Sequence, residues 1–207
     1  MARERMTKQR EGNEIEFSRI VAFSDGVFSI AITLLVLNLG LPKDLANGEV
    51  GSALWDQREH FLAYALSFAV IGRFWLVHHR FFSDVVAFDG RLISLNLLYL
   101  GWIVLIPFTS EVLGEYGGQT AAVILYAANL TGVVLIGMWM ASDARRAGLT
   151  GIDAGKHSEQ RYRSIYIASI FVLSIPVAFL APSIAPFMWL ALFFDPAGRY
   201  AAAQEPG

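Results

Sequence analysis

Two apolar stretches of this 207-residue chain carry ionisable side chains of interest: Arg19 and Asp25 in RIVAFSDGVFSIAITLLVLNL, and Arg73, His78 and His79 in GRFWLVHHR. An unpaired charge in an apolar medium is costly, so a carboxylate there either carries a proton or sodium ion or is held by a partner. Arg19, Asp25 and one of the two histidines can share a hydrogen-bonded network that packs two helices together or responds to protons. Metal binding is disfavoured. Adjacent residues on a helix point ~100° apart, and no third ligand accompanies the His78–His79 pair. Zero cysteines exclude disulfides, thiolate metal sites and cysteine nucleophiles together. No helix offers a convergent nucleophile and base, so neither an enzyme nor a cofactor is expected.

The elements that must position these groups are membrane helices. Only 16% of the residues are charged and 55% are hydrophobic, against about a quarter charged in an ordinary soluble domain. The mean hydropathy is +0.48. A net charge of −2, with the basic residues scattered over short loops, predicts no nucleic-acid partner. Six apolar runs follow one another at 19–39, 60–79, 92–110, 119–141, 164–181 and 183–194. At ~1.5 Å per residue, about 20 residues cross a hydrocarbon layer ~30 Å thick. The first five runs meet that length; the sixth, SIAPFMWLALFF, is short and carries Pro186, with Pro182 just before it. Pro176 should kink the fifth.

The opening segment is polar for too long to be the n-region of a signal peptide, so the first run is expected to be retained as a span. A single six-helix transmembrane domain over 19–195 is expected, flanked by a cytoplasmic segment 1–18 and a cytoplasmic tail 196–207. Thirteen of the sixteen Lys and Arg residues fall on the side of the two termini, opposite only Lys43 and Arg58, with Arg73 inside a span. The positive-inside rule makes that side cytoplasmic. The sequon-like Asn129-Leu130-Thr131 lies within the fourth span and is not a glycosylation site.

On the first helix the polar groups Arg19, Ser24, Asp25 and Ser29 are confined to the inner half, and the outer half is almost purely aliphatic. At ~100° per residue, Gly26, Ile30, Thr33 and Leu37 form one stripe, bordered by Leu34. By spacing alone that stripe reads as a helix-packing surface, since aliphatic stripes are common and spacing does not reveal a pore. The second helix runs inward, which brings Arg73, His78 and His79 toward the depth of Asp25 and Arg19.

The pattern Arg-x-x-x-Phe-Ser-Asp-Gly, here Arg19, Phe23, Ser24, Asp25 and Gly26, is followed by VFSIAITLLVL. The second helix adds Ser67-Phe68, Phe74-Trp75 and HHRF at 78–81. Together these resemble the transmembrane protein 175 family of endolysosomal potassium channels and their bacterial single-repeat relatives. The resemblance is specific over the first ~80 residues and topological beyond them. It implies an all-α membrane protein that assembles as a homotetramer of six-helix subunits, with the first helices lining a central pore. No TVGYG filter occurs here. The family pattern instead implies a hydrophobic filter of aliphatic rings, which maps onto Ile30, Leu34 and Leu37, with Thr33 adding a hydroxyl layer. It also implies a structural or gating network of Arg19, Ser24, Asp25, Trp75 and one of His78 and His79, within and between subunits.

The expected function is a moderately selective potassium channel of the bacterial plasma membrane, passing potassium and other monovalent cations down their gradient. Its partners would be other copies of itself and membrane lipid. The alternative is a proton- or sodium-coupled secondary transporter using Asp25. Against that stand the absence of an inverted repeat and of a pair of broken helices in the sequence.

Overall fold

A computed structural model describes the backbone of residues 2–42, 45–46, 48–151 and 154–193, and the side chains of 15–42, 45–46, 48–151 and 162–192. Among the described residues there are seven α-helices: α1 (Ala2–Leu34), α2 (Val50–Asp56), α3 (Arg58–Ser83), α4 (Gly90–Ile103), α5 (Ile106–Tyr116), α6 (Thr120–Arg146) and α7 (Ala154–Leu180). Five stretches are long and apolar enough to cross a membrane: Ile15–Asn38, Arg58–Ser83, Gly90–Tyr116, Thr120–Arg146 and Tyr162–Leu180. Helix α1 extends back to Ala2, so the segment expected as 1–18 is helical over most of its length and continuous with the first span.

The third span is longer than expected and broken. It stops at Ile103 and resumes at Ile106, with Pro107 in the first turn of α5. Proline has no N–H to give the preceding turn, and its ring crowds the carbonyl four residues back, here that of Ile103. Pro176 sits inside α7, which continues past it to Leu180. The sixth run becomes a 3-10 segment, Ala185–Phe193, of nine residues. At ~2.0 Å per residue it covers ~18 Å, short of a ~30 Å core. It folds back on α7: Trp189 is fully buried and donates its indole N–H to Ser174 Oγ at 3.0 Å. The expected tail 196–207 lies outside the described residues.

Helix α6 runs through the middle of the bundle, with Val123, Tyr126, Ala127, Leu130 and Val133 fully enclosed. It packs against α4, α5 and α7. A Cβ on Gly132 would collide with the Trp102 ring, so only glycine lets that indole lie against the backbone. Polar groups in the core are paired in series, as an apolar interior requires. Tyr126 OH and Ser67 Oγ are 2.9 Å apart, Ser67 donates to Ser110 at 2.7 Å, and Ser110 donates to the Ala63 carbonyl at 3.3 Å. Because Ser67 has one proton, Tyr126 is the donor in the first of these. Asn129 is likewise spent inside, donating to the Trp102 carbonyl and accepting from Thr109.

The Arg19 end of the bundle is closed by loops. Helix α6 ends in a Schellman turn, with Gly148 at φ 71° and the N–H of Leu149 on the Ala144 carbonyl at 2.9 Å. The next residues pair with the loop after α3, Val86 N–H to the Leu149 carbonyl at 2.8 Å and Gly151 N–H to that of Asp84 at 3.0 Å. Phe17 of α1 packs there on Phe82 and Phe88.

Candidate functional site: the uncovered face of the first helix

Helix α1 buries one stripe and leaves the opposite one bare. Ser24, Phe28, Ala31 and Leu35 are buried at i, i+4, i+7 and i+11, facing α3, α4 and α5. At ~100° per residue the diametrically opposed residues of α1 are Arg19, Gly26, Ile30 and Thr33, and every one of them is exposed, as is Leu37 beyond its end. Ile30 is 60% exposed and Leu37 73%, with Leu34 at 40% on the border. A Cβ on Gly26 would meet nothing within 4 Å. Thr33 donates its hydroxyl to the Ile30 carbonyl at 2.9 Å, so its proton is committed to the helix and its oxygen remains an acceptor on the uncovered face.

The end of the helix changes pitch. Residues Leu35–Asn38 form a 3-10 turn. Side chains three apart eclipse in that geometry, which turns Leu37 toward the line of Leu34. The outer end is anchored by Asn38, whose amide donates to the Pro107 carbonyl at 3.0 Å. That carbonyl belongs to the span broken at Pro107, so the break in the third span supplies a fixed point for the first.

At the other end, Asp25 Oδ1 accepts the indole N–H of Trp75 at 2.8 Å. Neither Arg19 nor a histidine reaches it within the chain. Six residues of helix separate Arg19 from Asp25, ~120° apart around the axis, so the two side chains leave on different faces. Arg19 forms no ion pair or hydrogen bond among the described residues. The two histidines divide. His79 stacks on Trp75, ring centres 5.5 Å apart. His78 points inward, is buried, and its Nε2 lies 2.8 Å from Asn96 Oδ1. Asn96 in turn donates through Nδ2 to Ser24 Oγ at 2.9 Å, and Ser24 donates to the Ile20 carbonyl at 2.9 Å. Since the Ser24 proton is already used, the Asn96 amide must donate to it. Its oxygen therefore faces His78, whose Nε2 must carry the proton.

Two short polar links thus brace α1 against α3: Asp25–Trp75 directly, and Ser24–Asn96–His78 by way of α4. Sequence reasoning missed Asn96 and Asn38. The signal was available, because an amide in or at the edge of an apolar run must find a hydrogen-bond partner.

The match to a known family falls on this same region. The family described as endosomal/lysosomal potassium channel TMEM175 matches residues 19–107, from Arg19 to the proline that breaks the third span. A potassium channel of Streptomyces collinus is 36% identical over 189 residues, covering 86% of this chain and 91% of that protein. The chain belongs to the TMEM175 family. A potassium channel of Chamaesiphon minutus is 44% identical over 103 residues, about half of each chain at 49% and 51%. The fold agrees as well. A crystal structure of a lysosomal potassium-selective channel TMEM175 homolog from Chamaesiphon minutus matches with a TM-score of 0.72 at 27% identity, over 92% of this chain and 99% of that one. As a TMEM175 protein with several membrane-spanning helices, the chain is an integral multi-pass membrane protein.

Proposed function

We propose that four copies of this chain assemble around the uncovered stripe of α1 to form a potassium-permeable channel of the bacterial plasma membrane, with both termini cytoplasmic. The observation that carries this reading is the composition of that stripe. A helix face turned to lipid satisfies its surroundings by being aliphatic. This one sets Gly26 and Thr33 among Ile30 and Leu37, all exposed in the single chain. Small and hydroxyl-bearing residues there suit a water path or a close approach of neighbouring copies.

In such an assembly Ile30, Leu34 and Leu37 repeat as successive aliphatic rings about one turn, ~5 Å, apart. A narrow aliphatic ring gives an ion no ligands and tends to dewet, so conduction needs slight widening and partial loss of the hydration shell. Potassium sheds water more readily than sodium, which favours potassium without a carbonyl cage and makes the preference moderate. The Thr33 oxygens supply acceptors at the level where water is lost. Arg19, unpaired among the described residues of its own chain, lies at the inner end of the same stripe, placed to meet Asp25 of a neighbouring copy, whose second carboxylate oxygen Trp75 leaves open.

Purified protein in liposomes tests this. Passive flux down either a potassium or a sodium gradient, favouring potassium and surviving Asp25→Asn, is expected, because an asparagine oxygen still accepts from Trp75. Saturating flux that requires a proton gradient and dies in Asp25→Asn would establish the transporter reading instead.

A further inference from the structure

We infer that a cavity of about 330 Å³ between α3, α6 and α7 binds the phosphate headgroup of an anionic phospholipid, with apolar walls that receive the start of its acyl chains. The cavity lining comes mainly from the halves of α3 and α6 nearest the basic end of the bundle and from α7, with no residue of α1 among the described lining. Arg73, Arg80 and Arg163 line it together with the hydroxyl-bearing Ser142 and Ser164. No carboxylate lines it among the described residues. Asp143, adjacent to Ser142, is held by Arg91 at 2.9 Å.

Arg73 and Arg80 stand seven residues apart on one face of α3, and neither forms an ion pair or side-chain hydrogen bond among the described residues. Arg73 lies ten residues before the end of α3 at Ser83, ~15 Å along the axis. A guanidinium at that depth is costly unless it meets an anion or a polar cavity. The remaining wall is apolar, with Phe74, Val77, Val134, Met138 and Ile167 among its residues. A free anion has no use for such a wall, whereas a phospholipid matches both halves. Basic pockets between spans at the membrane surface suit anionic headgroups on these grounds.

The test is native mass spectrometry of the full chain released from micelles containing equal amounts of dioleoylphosphatidylglycerol and dioleoylphosphatidylcholine. Retention of the glycerol lipid over the choline lipid by about tenfold is expected, as arginines at a headgroup are each worth a several-fold gain. Arg73→Gln and Ala141→Phe, which removes charge and fills the cavity respectively, should each erase most of that preference. Equal retention of the two lipids by the wild-type chain would overturn the site without reference to any variant. So would a preference that survives both substitutions. Full displacement of the lipid by millimolar inorganic phosphate would show an anion site that does not use the apolar wall, which also contradicts the proposal.

Discussion

Trp75 and His78, three residues apart on one helix, hold the first helix by two different routes. Trp75 donates to Asp25 at 2.8 Å, and His78 reaches Ser24 through Asn96 with contacts of 2.8 and 2.9 Å. Successive residues of α1 are thereby fixed to successive turns of α3. Sliding or rotation of α1 would break both links together, so the bare stripe is held in one orientation.

Trp75→Phe keeps the ring and removes the N–H, leaving Asp25 without its donor. Hydrogen bonds to charged groups contribute about 1.5–3 kcal/mol, and a loss of that order is expected in unfolding of the purified protein. Asp25→Asn, which keeps the acceptor, should lose less.

Asn96→Leu leaves the His78 N–H and the Ser24 oxygen without their partner. Each buried orphan costs roughly 1–3 kcal/mol. The double substitution Asn96→Leu with His78→Leu should be less destabilising than the sum of the two singles, because one orphan disappears with its own side chain. A double-mutant cycle on unfolding midpoints measures that coupling, and strict additivity would mean the link contributes nothing.

Gly132→Val forces methyl groups into the space of the Trp102 indole. Overpacking of this kind costs about 1–3 kcal/mol, and Trp102→Leu in the same chain should recover part of it. Thermal unfolding of the single and double variants checks both.

Much of this architecture is legible in the sequence because a bilayer admits few solutions. The first, second and fourth apolar runs correspond to helices Ile15–Asn38, Arg58–Ser83 and Thr120–Arg146, each longer than its apolar core because polar residues continue the helix past the hydrocarbon. The break at Ile103 was less visible, since its cause, Pro107, lies inside an otherwise uniform run. Within the chain Asp25 is held by Trp75, one of the residues expected in its network, rather than by Arg19 or a histidine. Charge invites a charged partner, yet an indole N–H one turn from His79 suffices, and Arg19 leaves the helix on another face. Asn96 was passed over because one amide hardly alters the hydropathy of its run, although its two contacts join three helices.

Ile30→Asn and Leu37→Asn each place an amide where the proposed rings narrow the pore. Both should raise sodium permeation relative to potassium by several-fold, because an amide ligand replaces part of the shell that the aliphatic ring strips. Reversal potentials under mixed-cation gradients read the ratio. Unchanged ratios in both variants would remove these residues from the constriction.

The chain contains no cysteine, so a single introduced thiol reports on one position alone. The most direct test of the account places Ile30→Cys, Leu37→Cys and, on the buried stripe, Ala31→Cys into separate channels and follows potassium flux during exposure to a charged, water-borne thiol reagent. Modification and block at the first two positions, with Ala31→Cys untouched, is the predicted result. Positions 30 and 37 that react only with membrane-partitioning reagents, and conduct unchanged when modified, would place that stripe against lipid and contradict the account.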